Sequence, residues 1–271
     1  MSASRALVLA LSLVIVSTLA GDHPVLQSEQ IKLVPIPFSA VHHGTYAAPR
    51  VRNENGTSTN WSGYAVQTDL SAPANGAVTD VEGTWVVPDV VASTSPTTYS
   101  SAWVGIDGYS DNTVEQLGTD QDWYKGKPSY YAWFEMYPKG SFLIKNFPVN
   151  PGDTISAEVK TSNGNSFTLS IANLTRNVRY STTQRCNKAQ CSSAEWVMEA
   201  PWSGGVLPLA DFGRIDFSGC SATVNGITGS IGNPAWQYDA MTMATSGGTV
   251  KALPTVLSPD GSSFSVIWYH E

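Results

Sequence analysis

Histidine is nearly missing from the body of this 271-residue chain: the four present are His23, His42, His43 and His270, so none falls between residues 44 and 269. A Ser-His-Asp or Cys-His hydrolase needs an imidazole beside its nucleophile, and most catalytic zinc sites draw on His ligands. Neither is easily built here, and no metal site is expected. Charge is scarce as well, at 14% of residues against about a quarter in ordinary globular chains. Ser, Thr, Asn and Gly must keep the surface soluble, which leaves few carboxylates to lose their charge in acid. Of 15 Lys and Arg, four precede residue 60 (Arg5, Lys32, Arg50, Arg52), leaving 11 spread thinly in a chain of net charge -7. That excludes a basic stripe, and with it nucleic acid as a partner. GxSxG and P-loop patterns are also absent, which removes the usual signals of esterases and nucleotide enzymes. No cofactor is expected. Cysteine is limited to Cys186, Cys191 and Cys220; CNKAQC could close a small loop, but spacing alone does not fix the pairing.

The N-terminus carries one cation, Arg5, then an apolar run from Ala6 to Val16 and mostly small residues to Gly21. This is the layout of a secretory signal peptide, too short for a membrane span. Residues 1–20 are therefore expected to be removed, leaving a secreted, extracellular protein with no membrane attachment. Residues 21–58 hold three of the four His and Pro24, Pro35, Pro37 and Pro49, with little strand periodicity. They read as a pro-segment.

From residue 59 to 271 the texture is all-β: short runs rich in Val, Ile, Thr, Trp and Tyr, punctuated by Asn75-Gly76, Asn163-Gly164, Asn225-Gly226 and Asp260-Gly261. Alternation is clearest over Thr154 to Lys160 and Ser166 to Ile171, which predicts a hairpin about Asn163-Gly164. No long amphipathic helix or fixed-period repeat is present, so one β-sandwich domain is expected, and a monomer.

Several strand-like runs place aromatic and polar side chains on one face. In Tyr131 to Tyr137, a strand sets Tyr131, Trp133, Glu135 and Tyr137 opposite Ala132, Phe134 and Met136. Ala194 to Glu199 sets Glu195, Val197 and Glu199 opposite Trp196 and Met198, and Ser101 to Gly108 sets Trp103, Gly105 and Asp107 opposite Val104 and Ile106. On periodicity alone, the two Glu of the second run fit a solvated edge strand equally well. Thr113 to Gly118 carries Gln116 in mid-strand.

Taken together, NWSGY at 60–64, AWVGIDG at 102–108, EQLG and DWY within 115–124, YAWFEMYP at 131–138, Asn173-Leu174-Thr175 and AEWVMEAP at 194–201 resemble the eqolisin family of glutamic peptidases. The resemblance covers most of the chain beyond Asn60. It implies an antiparallel β-sandwich of two large, concanavalin-like sheets with a substrate groove on the concave sheet, polypeptide substrates, and a Gln-Glu catalytic pair. By matching segments, the pair falls on Gln116 and Glu199, the groove Trp on Trp103, and Asp107 and Glu135 on positions that line or brace the site. Fewer cysteines and Leu117 after the Gln depart from the fungal pattern.

The chemistry of such a pair is intelligible by itself. Amide hydrolysis needs an activated water, a stabilised oxyanion and a proton for the leaving amine. A Glu can move the proton, and a Gln offers both an acceptor and a donor. With an unperturbed Glu near pKa 4.3, activity is expected in acid. The competing class is a carbohydrate-active sandwich using Glu135 and Glu199, or a lectin-like module. Sequons stand at Asn55, Asn60 and Asn173.

Overall fold

The computed structural model describes residues 56–271 and the backbone of Leu33–Pro35. The expected signal peptide and most of the expected pro-segment lie outside the described residues.

Strands follow one another as β1 (Leu33–Pro35), β2 (Thr57–Ser58), β3 (Trp61–Gln67), β4 (Val78–Val86), β5 (Ser101–Ile106), β6 (Val114–Tyr124), β7 (Lys127–Tyr137), β8 (Phe142–Ile144) and β9 (Thr154–Thr161). They continue as β10 (Ser166–Asn173), β11 (Val178–Arg185), β12 (Ser193–Glu199), β13 (Arg214–Val224), β14 (Ile227–Ser230), β15 (Gln237–Ala244), β16 (Val250–Pro254) and β17 (Phe264–Trp268). No helix occurs among the described residues.

Two antiparallel sheets account for all these strands but β2, which pairs in parallel with β15. One runs β11-β10-β9-β4-β13-β17-β16-β15, with β14 folded back on the end of β13. The other, which carries the site, runs β1-β8-β7-β6-β5-β12-β3-β15. Strand β15 belongs to both, pairing through Gln237–Met241 with β3 and through Met243 and Ala244 with β16.

Strict alternation drives this layering. Along β9 and β10, Ile155, Ala157, Val159, Phe167, Leu169 and Ile171 are buried, and Val159 faces Leu169 while Ala157 faces Ile171. The expected hairpin is present, with Gly164 supplying the positive φ of 69° that its turn requires. Between the sheets lie Trp85, Val104, Leu117, Phe134, Trp196, Phe217 and their neighbours. Two of these indoles find acceptors: Trp85 Nε1 donates to Thr119 Oγ1 at 3.0 Å and Trp196 Nε1 to the Glu82 carbonyl at 2.7 Å. Emptying one of these positions to Ala would cost about 3–5 kcal/mol.

A second apolar cluster, Trp61, Ala65, Trp103, Tyr109, Val114, Trp133, Val197 and Met241, lies on the opposite face of the second sheet. Two-residue periodicity therefore gives β3, β5, β6, β7 and β12 a core side and a functional side.

Candidate active site

Strand register arranges that functional face in three rows. The first reads Asp239, Ala65, Glu195, Gly105, Gln116, Glu135 from β15 across to β7. The second reads Met241, Gly63, Val197, Trp103, Gly118, Trp133, Leu143. The third reads Trp61, Glu199, Ser101, Asp120, Tyr131. Successive rows are two residues apart, about 6.8 Å along an antiparallel strand. Carboxylates and an amide thus flank an aromatic band on both sides.

Gln116 sits in the first row, fully buried, and its Nε2 donates to Glu135 Oε2 at 2.7 Å. Ser141 Oγ donates to the other Glu135 oxygen at 2.9 Å. A carboxylate accepts only from a donor, so this contact fixes which way the Gln116 amide points. One Nε2 proton and Oε1 remain for other work; Oε1 is buried without a hydrogen-bond partner.

Glu199 sits in the third row and is also fully buried. Its Oε2 accepts from Trp103 Nε1 at 2.8 Å and its Oε1 from Asn60 Nδ2 at 3.2 Å. Two donors thus hold the carboxylate, one at each oxygen. The Trp103 indole lies lengthwise between the rows, since its Cζ3 edge rests against Gly105 while its Nε1 reaches Glu199. Trp61 packs edge-on against it, ring centroids 4.9 Å apart. A Cβ on Gly105 would stand 3.0 Å from Trp103 Cζ3 and 3.1 Å from Gln116 Cβ, so glycine at this position makes room for both.

The structure thus brings Gln116, Glu199, Trp103 and Glu135 to one face and does not bring Asp107 with them. Asp107 follows β5 with a φ of 72°, and its carboxylate accepts the backbone N–H groups of Gln190, Cys191 and Ser192 at 2.8, 2.7 and 2.7 Å. Of lining and bracing, it has the bracing role, tying β5 to the entry of β12. Burial pushes its pKa up to about 7, the Asp111 charge adds to this, and the Ser192 and Cys191 amides pull the other way. Behind Gln116, Glu115 points to the core side, where burial, then Asp107 and Cys186, hold it well above the ordinary carboxylate range. Cys186, Cys191 and Cys220 are free thiols, all buried. The solvated edge strand considered for Glu195 and Glu199 is excluded, since β12 lies between β5 and β3 and both residues are buried.

Sequence reasoning missed Asn60, Ser58 and Ser141. Asn60 had registered only as a sequon and as part of NWSGY. It is 1% exposed with its amide on Glu199, and Asn173, also 1% exposed, donates to Pro148 O and Asp153 Oδ2. Both side chains are buried and engaged, which leaves neither amide for a glycan.

With this geometry in hand, the class follows. The Peptidase A4 family model matches residues 59–266, and the chain belongs to that family, the eqolisins. Aspergillopepsin-2 of Aspergillus niger is 30% identical over 194 residues, covering 63% of this chain and 66% of that relative. Scytalidopepsin B of Scytalidium lignicola is 32% identical over 151 residues, covering 52% of this chain and 57% of that relative. The matched spans therefore take in somewhat less than two thirds of each relative. Among solved structures, scytalido-glutamic peptidase with a transition state analog inhibitor superposes with a TM-score of 0.65 at 24% identity, over 78% of this chain and 98% of its own. Aspergilloglutamic peptidase from Aspergillus niger gives 0.57 at 29% identity, over 64% and 99%. The fold is the eqolisin β-sandwich.

Proposed function

We propose that the chain is a secreted, acid-active endopeptidase in which Gln116 and Glu199 hydrolyse peptide bonds of polypeptide substrates lying across the face described above. The observation that carries this reading is the state of Gln116. Its amide is locked by Glu135, and its buried Oε1 has no hydrogen-bond partner. Gln67 and Gln121 also bury an Oε1 without a partner, so what sets Gln116 apart is that Glu135 fixes its amide on the face that carries Glu199 and Trp103.

Glu199, ionised, takes a proton from a water whose oxygen attacks the scissile carbonyl carbon. Gln116 Oε1 accepts a hydrogen bond from the water's other O–H and orients it. The carbonyl oxygen gains the negative charge and accepts a hydrogen bond from the remaining Nε2–H of Gln116; one such donor can contribute about 3 kcal/mol to the transition state. The intermediate then collapses, the C–N bond breaks, and Glu199 returns its proton to the departing nitrogen, leaving an acid and an amine. Trp103 holds Glu199 and offers its ring to the substrate, Glu135 holds Gln116, and Asp107 fixes the loop from which β12 starts. No step calls for a metal or cofactor, and a monomer suffices.

The carbohydrate alternative asks Glu135 to act as acid or nucleophile. Both Glu135 oxygens already accept hydrogen bonds, from Gln116 and Ser141, which favours the peptidase reading. Assay on a denatured protein and on a polysaccharide at about pH 3 to 4, near the Glu reference value, separates the two. Protein hydrolysis alone supports the proposal; polysaccharide hydrolysis alone refutes it.

A pro-segment within residues 21–58 is proposed to hold the enzyme inactive until it reaches acid. Supporting this, Leu33–Pro35 pairs antiparallel with β8, at the edge of the sheet that carries the site. Acid incubation is expected to give a product beginning between Ala48 and Asn60 with a rise in activity. Full activity of the unprocessed chain at about pH 4 would make the segment an ordinary arm.

A further inference from the structure

We propose that Asn60, held by Ser58, is a positioning residue for the Glu199 carboxylate, and that Gly56 to Asn60 belongs to the reacting apparatus rather than to the removable N-terminal stretch. This rests on Glu199 being the base. The Ser58 hydroxyl accepts two backbone N–H groups, from Asn60 at 3.3 Å and Trp61 at 3.0 Å. Its single proton is then directed to Asn60 Oδ1, 3.0 Å away. That contact decides the orientation of the Asn60 amide: with Oδ1 engaged by Ser58, the NH₂ end must face Glu199, where Nδ2 lies 3.2 Å from Oε1. The Asn60 carbonyl also accepts the N–H of Ala200, next to the base, at 2.8 Å. Asn60 thus grips both the carboxylate and the backbone beside it.

Ser58 is in turn set by β2. Thr57 and Ser58 pair in parallel with Thr242 and Met243. Gly56 N donates to Asp239 Oδ1 at 2.8 Å, and Gly56 O accepts from Thr242 N at 2.9 Å. A chain shortened past Ser58 loses the hydroxyl that orients Asn60. Processing must therefore stop before Ser58, within the first part of the window from Ala48 to Asn60.

Removing a donor from a carboxylate disfavours its ionised form. The other titratable groups on this face are Glu195 on β12, Asp120 on β6, Tyr131 and Glu135 on β7, and Asp239 on β15, with Tyr109 donating to Asp239. No Lys or Arg stands among the row residues, so Asn60 and Trp103 supply donors to Glu199 where a cation would otherwise serve.

The test is the pH profile of kcat on a denatured protein for the processed enzyme and its Asn60→Ala, Ser58→Ala, Ser58→Thr and Glu199→Gln variants. Asn60→Ala is expected to move the acid limb upward by about one pH unit, the size of one charge-assisted hydrogen bond. Ser58→Ala should move it the same way by less, and Ser58→Thr, which keeps a hydroxyl, should bring it back toward its parent position. A folded Asn60→Ala or Ser58→Ala enzyme whose rate falls evenly at all pH values, or does not fall, overturns the positioning role. If Asn60→Ala does not fold, the two Ser58 variants decide. An active Glu199→Gln enzyme would instead refute the base assignment; an inactive one with unmoved Asn60 and Ser58 profiles refutes only the positioning.

Discussion

At the scale of single residues, the site is a set of polar groups whose free valences are counted out by their neighbours. Glu135 and Ser141 leave Gln116 one donor and one acceptor, while Trp103 and Asn60 leave Glu199 anchored at both oxygens. Glu135→Gln replaces an obligate acceptor by an amide that can offer either end, so Gln116 is no longer held in one orientation. Turnover on a denatured protein is expected to fall about tenfold, less than the hundredfold or more that loss of an oxyanion donor costs, with the melting temperature little changed. An undiminished rate would remove Glu135 from the positioning of Gln116. Gln116, Glu199, Trp103 and Glu135 were singled out by the matching family segments, while two-residue alternation could place them on one strand face but could not choose among them. Asn60 was not: its partner is 139 residues away, and no local period reports which strands become neighbours.

At the scale of elements, β5 is the spacer between the two residues of the proposed pair. It lies between β6, which carries Gln116, and β12, which carries Glu199, and it offers glycine in the first row and Trp103 in the second. Gly105→Ala would bring a methyl group to 3.0 Å from Trp103 and 3.1 Å from Gln116, so both must give by a few tenths of an ångström. The expected result is a folded protein with kcat lowered about tenfold and KM changed less, given that a misplacement of about 1 Å can cost a hundredfold. Steady-state kinetics with a peptide substrate checks this; an unchanged kcat would mean that the indole is not held by that contact. The end of β5 shows where strand patterning stops being informative. Alternation put Asp107 beside Trp103, but its positive φ takes it off the strand and its carboxylate onto the Gln190–Ser192 amides. Glu115 is the converse case, a carboxyl on the core side of β6 where the pattern calls for an apolar residue.

At the scale of the whole molecule, the titration of those two buried acids sets how stability depends on pH. Asp107 is pushed up to about 7 by burial and then by Asp111, and Glu115 is held well above its ordinary range by burial, Asp107 and Cys186. The folded protein keeps protons that the unfolded chain releases near pH 4, so their stabilisation is complete below about pH 4 and is lost as pH rises toward 7. Asp153 runs the other way: burial raises it, but hydrogen bonds from Arg176, Asn173 and the Asn150 amide outweigh burial and hold it below its ordinary value. Its contribution is lost only in stronger acid. Melting temperature measured from pH 3 to 7 should therefore peak near pH 4 and fall toward neutrality, with a shallower fall in Glu115→Gln; a rise toward pH 7 would contradict this. The Gln-Glu chemistry itself is tested most directly by turnover of a denatured protein at about pH 4 by folded Gln116→Ala and Glu199→Gln variants. Each is predicted to lose about a hundredfold or more, and a folded Gln116→Ala enzyme with near-normal turnover would contradict it.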